Sequence, residues 1–169
     1  MNKTVNTFQK ISAVEQAMMA LLLFGASLYI FFAFDDTLMV IKGFIFTLFL
    51  ILISYSDYKT QTIPNILLLP IVVIGFIHCD ISSLIGIFAV STPMLMTALI
   101  KKDGLGGGDI KMMAACGFVL GGIGIIAAAV IGLGLFILVH IYELIKNSKK
   151  RYALAPYLSI GCYIAFVLS

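Results

Sequence analysis

Two aspartates stand at the ends of apolar runs, where a carboxylate is costly. Asp57 closes one run in Ser54-Tyr55-Ser56-Asp57-Tyr58-Lys59, and Asp109 opens another in Gly106-Gly107-Gly108-Asp109-Ile110-Lys111. An ionisable group at the edge of hydrocarbon is by default a functional one. Two carboxylates brought to one place cannot both ionise cheaply, so they share a proton. The ionised one can take a proton from water while the protonated one polarises a carbonyl, which is the chemistry of peptide-bond hydrolysis. Titration belongs to the pair, and the sequence assigns neither role to one aspartate. That chemistry needs no metal or organic cofactor. The plain alternatives are a solvated aspartate in a polar connection for Asp57 and a helix N-cap after a glycine loop for Asp109.

The elements that must position these carboxylates are membrane helices. The chain has 169 residues, 62% of them hydrophobic and 11% charged, with a mean hydropathy of +1.13. A soluble domain carries roughly 25% charged residues, so this chain lacks the polar surface to cover itself. Its apolar stretches are long and unbroken, which points to helical spans rather than the alternating pattern of a membrane barrel. The expected spans are 14–34, 38–56, 64–79, 81–100, 109–121, 123–144 and 153–168. The first follows Lys3 and Lys10 and ends in Phe34-Asp35-Asp36 without a small-residue cleavage site, so it reads as a retained span.

Charge gives the orientation. In this topology Lys3, Lys10, Lys59, Lys101, Lys102, Lys111, Lys146, Lys149, Lys150 and Arg151 fall at one face and only Lys42 falls near the other. The basic face is cytoplasmic, which puts the N-terminus, Asp57 and Asp109 on that side. Asp35, Asp36 and Asp80 belong to external loops. No basic stripe lies outside the loops, so nucleic acid is not an expected partner; the bilayer is.

Three glycines precede Asp109, and glycine permits positive φ and close backbone approach. Gly106, Gly107 and Gly108 therefore read as a bent loop that positions Asp109 and lets a peptide lie against it, with Lys111 available to steady the loop or touch substrate. Pro64 suits a helix start and Thr62 is a candidate cap. Cys79, Cys116 and Cys162 have no paired spacing and read as small packing residues. His78 has no serine or cysteine placed beside it. A phosphate-loop pattern is absent.

In order along the chain stand an aspartate followed by Ile63-Pro64-Asn65, two intervening spans, Gly106-Gly107-Gly108-Asp109-Ile110-Lys111, and a closing Ala155-Pro156-Tyr157-Leu158 with Gly161. Together these resemble the type IV prepilin peptidases, membrane aspartyl proteases of the GxGD type, over roughly residues 38–168. The resemblance implies that Asp57 and Asp109 are the catalytic pair. It implies an all-α, polytopic bundle of about seven spans, a six-helix protease core at 38–169 after a tail and first span at 1–37. It further implies cleavage of the short basic leader of prepilin-like precursors at the cytoplasmic membrane face, in support of pilus or type II secretion assembly. Larger members carry paired CxxC motifs and a methyltransferase activity, neither of which is expected here. Two other readings stay open on sequence: a small transporter or channel subunit using both aspartates as ion sites, and an inactive pilus-assembly subunit.

Overall fold

Apolar runs become helices here because a bilayer leaves no other partner for backbone N–H and C=O groups. The structure, a computed structural model, describes residues 13–100, 106–145 and 153–169. Its helices are α1 (Ala13–Ala33), α2 (Thr37–Thr60), α3 (Asn65–Gly75), α4 (Ile81–Ala89), α5 (Ser91–Ile100), α6 (Gly107–Ile145) and α7 (Ala155–Leu168). Among the described residues there is no strand. Three stretches, Thr37–Thr60, Ile81–Ile100 and Gly107–Ile141, are long and apolar enough to cross a membrane, and shorter apolar helices accompany them. Large side chains point outward: Phe32, Ile100 and Ile123 are 78%, 82% and 86% exposed. So much exposed apolar surface suits lipid and not water. The chain is an all-helical bundle of membrane character.

Local chemistry sets the ends. Asp36 caps α2 by accepting from the Leu38 N–H at 3.1 Å. Asp80 caps α4, accepting from the Ile81 N–H at 2.7 Å, while Ser83 returns the contact in a capping box. Two of the expected external charges are thus helix caps. The expected run 64–79 is helical only to Gly75; a turn follows, with His78 at φ 58°. The expected run 81–100 stands as one stretch long enough to cross a membrane, divided into α4 and α5 at Val90. Pro93 explains the break, since it cannot donate to the Ala89 carbonyl and its ring crowds that position. Thr62 does not cap α3; Pro64 occupies the cap position without a side-chain bond.

The long α6 is two arms. Gly121 sits inside it at φ 74°, ψ 178°, outside helical geometry. A straight helix would hold Asp109 and Gly132 about 35 Å apart, at 1.5 Å per residue. Yet Asp109 shares a cavity with Asp57, Asp57 bonds Ala155, and Leu158, one turn further, packs on Gly132. These links are much shorter than that span, so the chain turns back at Gly121. The sequence expectation of separate runs 109–121 and 123–144 matches this break. Only glycine suits it, both for its φ and because a Cβ would meet Ser82 Oγ at 2.7 Å.

Lys42, expected near the external end of its span, lies near the start of α2. It is buried, and its Nζ donates to the carbonyls of Ile77 at 3.0 Å and Val119 at 3.4 Å. It therefore binds the end of α3 to the α6 break. Close backbone approach holds the arms of α6 to their neighbours: a Cβ on Gly86 would strike the Gly117 carbonyl, and one on Gly161 would strike that of Ala128. Small residues at helix crossings are the usual way that membrane helices gain packing contact. Phe46, Leu50, Ile53, Ile71, Met112, Met113, Ile125 and Leu158 fill the core. Cys116 and Cys162 are buried beside each other, as packing residues should be, whereas Cys79 is exposed.

Candidate active site

Asp57 sits in the last turn of α2. Gln61 ends that helix in the left-handed region, φ 50°, ψ 32°, and its N–H returns to the Asp57 carbonyl at 2.8 Å. Ser56 Oγ donates to the Thr62 carbonyl at 3.1 Å, and Thr60 Oγ1 donates to the Ser56 carbonyl at 2.7 Å. These bonds fold the connection tightly, so Ile63-Pro64-Asn65 returns beside Asp57 rather than looping away. The Asp57 side chain is only 6% exposed. It lies at the negative end of its own helix, which is unfavourable for a carboxylate. The start of α7 compensates: the Ala155 N–H donates to Asp57 Oδ2 at 3.0 Å. Pro156 lies in that first turn, where its missing N–H costs nothing.

Asp109 lies in the first turn of α6 and is 8% exposed. Its N–H donates to the Gly106 carbonyl at 3.1 Å. Its Oδ1 is buried with no hydrogen-bond partner among the described residues. Of the two properties that the sequence suggested for these glycines, positive φ is absent and close approach is present. Gly121 is the only described glycine at positive φ. A Cβ on Gly106 would lie 3.0 Å from Asp109 Oδ2, and one on Gly108 would lie 3.0 Å from Ile63 Cβ and 3.3 Å from its Cγ1. Gly107 faces nothing within 4 Å. The two sequence segments thus touch at Gly108 and Ile63.

This geometry separates the three glycines by experiment. Gly108→Val should push α6 off Ile63 and displace Asp109, and a small displacement of a reacting group costs about a hundredfold in rate. Gly107→Ala should keep the parental rate. Initial cleavage rates per unit of purified protein measure both, and equal rates for the two variants would contradict the packing described.

A cavity of about 240 Å³ is lined by Asp57, Gln61, Thr62, Ile63, Asn65, Gly106, Gly107, Gly108, Asp109 and Lys111. Every residue that the sequence offered for the site is on that list of walls, and the two carboxylates are within electrostatic reach of each other. Lys111 Nζ donates to Asn65 Oδ1 at 3.4 Å, which joins the start of α6 to the start of α3. Lys59 lies over the Tyr55 ring, 5.0 Å from its centroid. Lys101, Lys102 and Gly104 fall outside the described residues. Sequence reasoning gave no role to Gln61, read Thr62 only as a helix cap and used Asn65 only as part of the Ile63-Pro64-Asn65 segment, although polar residues between two apolar runs were a signal. It missed the Ala155 N–H, which has no sequence signature. Among the described residues no three His, Cys, Asp or Glu side chains gather as a metal site would require. A pair of buried carboxylates at an open polar cavity is suited to activating a water and polarising a carbonyl.

Comparison with known proteins bears on this arrangement. Residues 44–144 match the type IV leader peptidase family. A prepilin leader peptidase/N-methyltransferase of Neisseria gonorrhoeae is 29% identical over 140 residues, in an alignment covering 73% of this chain and 47% of that protein. The chain therefore spans about half the length of that relative. No solved structure matches it. Asp57, Ile63-Pro64-Asn65, the glycines, Asp109 and Lys111 all lie inside the matched stretch, whereas α7 lies beyond it. The matched stretch is more than half of the 169 residues and holds both carboxylates, and the chain belongs to the type IV leader peptidase family.

Proposed function

We propose that this chain is a membrane-embedded aspartic endopeptidase that removes the short basic leader from prepilin-like precursors. One observation carries the reading: Asp57 and Asp109, from helices far apart in sequence, are both buried and both face one polar cavity. In this reading the two are the catalytic pair. Gly106 and the first residues of α6, Gly107 and Gly108, offer the surface against which the substrate backbone lies, and Lys111 braces that helix start against α3. One carboxylate takes a proton from water and the other polarises the scissile carbonyl. The N-terminal region 1–37 is a tail and first span, and 38–169 is the peptidase unit. The two arms of α6, α4 with α5, and the remaining helices make about seven spans. The product supports pilus or type II secretion assembly.

The test is direct. Detergent-purified full chain is incubated with a prepilin precursor, and the products are weighed by mass spectrometry. Two fragments divided after the basic leader are expected; a precursor that stays intact would refute the reading.

The site faces the cytoplasm in this proposal, on the strength of ten basic residues at that face. The one charge that had counted against it, Lys42, is buried in the bundle. Thr60→Cys, in a background without the three native cysteines, should react with a membrane-impermeant thiol reagent only after cells are opened. Labelling of intact cells would invert the topology.

A further inference from the structure

The proposed reaction needs one ionised and one protonated carboxylate, and the sequence gives no reason to prefer either assignment. The surroundings of the two differ. Asp57 Oδ2 accepts a buried N–H from the first residue of α7, so it has both a hydrogen bond and the positive end of a fourteen-residue helix. Its other oxygen is not among those sealed away unpaired. Asp109 also stands at a helix start, and Gly106 offers it a backbone hydrogen bond. Its Oδ1, however, is sealed from solvent with no donor among the described residues. The helix-start advantage is common to both and largely cancels. What remains is a fully buried oxygen on Asp109 without a donor among the described residues. A negative charge there loses its water and gains nothing in exchange.

Resting on the reading above, we propose that Asp57 is the ionised member that activates water, that Asp109 holds the proton, and that the Ala155 N–H is the positioning group that fixes this division. The other groups facing Asp57 do not reverse it. Lys111 of α6 donates to Asn65 of α3 and lies on the wall of the cavity that both carboxylates share, so its charge favours neither alone; among the described residues Asp109 is the only other carboxylate lining that cavity.

The step then balances. Asp57 removes a proton from water as the oxygen bonds to the scissile carbonyl carbon. The carbonyl π electrons move to its oxygen, which takes the proton of Asp109. The C–N bond then breaks, and the departing nitrogen takes the proton held by Asp57. One hydroxyl of the intermediate returns its proton to Asp109 as the carbonyl reforms. A carboxylic acid and an amine leave, and both aspartates regain their starting states.

Two measurements test the assignment. In the first, Ala155 is replaced by its α-hydroxy acid counterpart through nonsense suppression, which exchanges the N–H for an oxygen and leaves the side chain in place. Losing the donor makes Asp57 harder to ionise. The acidic limb of kcat/KM against pH should therefore move up by about one pH unit, with the alkaline limb unchanged. Movement of the alkaline limb alone, or of neither, would overturn the proposal. The second measurement needs no activity, so it remains decisive if the precursor is not cleaved. At one pH common to all three proteins, the infrared C=O stretch of a protonated carboxyl should be present in the parent, be lost in Asp109→Asn and persist in Asp57→Asn. The reverse pattern would show that Asp57 holds the proton.

Discussion

Asp57→Asn and Asp109→Asn, each made alone, should lower the initial rate of precursor cleavage by on the order of 10³-fold while leaving the protein in the membrane. The amide keeps the shape of the carboxylate and removes its proton chemistry. At position 57 the asparagine carbonyl can still accept from the Ala155 N–H, so the α2–α7 contact survives. At position 109 the change replaces an oxygen without a described partner in a sealed position, which costs the fold little. Rates are measured on purified protein and normalised to the amount recovered from membranes. Parental cleavage by either variant would remove that aspartate from the chemistry.

The second large effect concerns the fold. Gly117→Val should leave little folded protein. Gly117 of α6 and Gly86 of α4 approach so closely that a Cβ on either would strike the carbonyl oxygen of the other. Backbone cannot step aside as a flexible side chain can, so the helices must separate, at about 3 kcal/mol or more. Separation would also disturb the turn at Gly121, whose neighbour Gly122 donates its N–H to Ser82 Oγ of α4 at 3.2 Å. Gly134→Ala is the control, since nothing lies within 4 Å of that position. Thermal unfolding in detergent and recovery of monodisperse protein give the readout. A Gly117→Val protein as stable as the parent would mean that α4 and α6 do not meet at this crossing.

How much of this was legible in the sequence depends on the range of the interaction. Asp57 and Asp109 were legible because a charge at the edge of an apolar run is a local contrast. The break between residues 121 and 123 was legible because Gly121-Gly122 interrupts an apolar run. Pro93 was equally visible, yet the run 81–100 reads as one span by length and hydropathy, and its break at Val90 comes from the local hydrogen-bond geometry that proline denies. The burial of Lys42 was illegible for a different reason. Hydropathy sees a charge near a helix end, but its partners, the Ile77 and Val119 carbonyls, come from 35 and 77 residues away. The glycines before Asp109 were read for positive φ and for close approach, and only the close approach is present. Only packing shows that Gly108 makes room for Ile63, and a sequence cannot distinguish that from a need for positive φ. Least legible was the Ala155 N–H on Asp57, because every residue but proline carries such a donor and only the fold selects one.

The central claim is that the two carboxylates form one catalytic unit. Its most direct test is the residual cleavage rate of the double variant Asp57→Asn with Asp109→Asn, measured beside both single variants on the same precursor. Groups that act as a unit lose their whole effect when either is removed. The double variant should therefore be no slower than the slower single variant. Losses that multiply in the double variant would mean that Asp57 and Asp109 work independently, and would contradict the account.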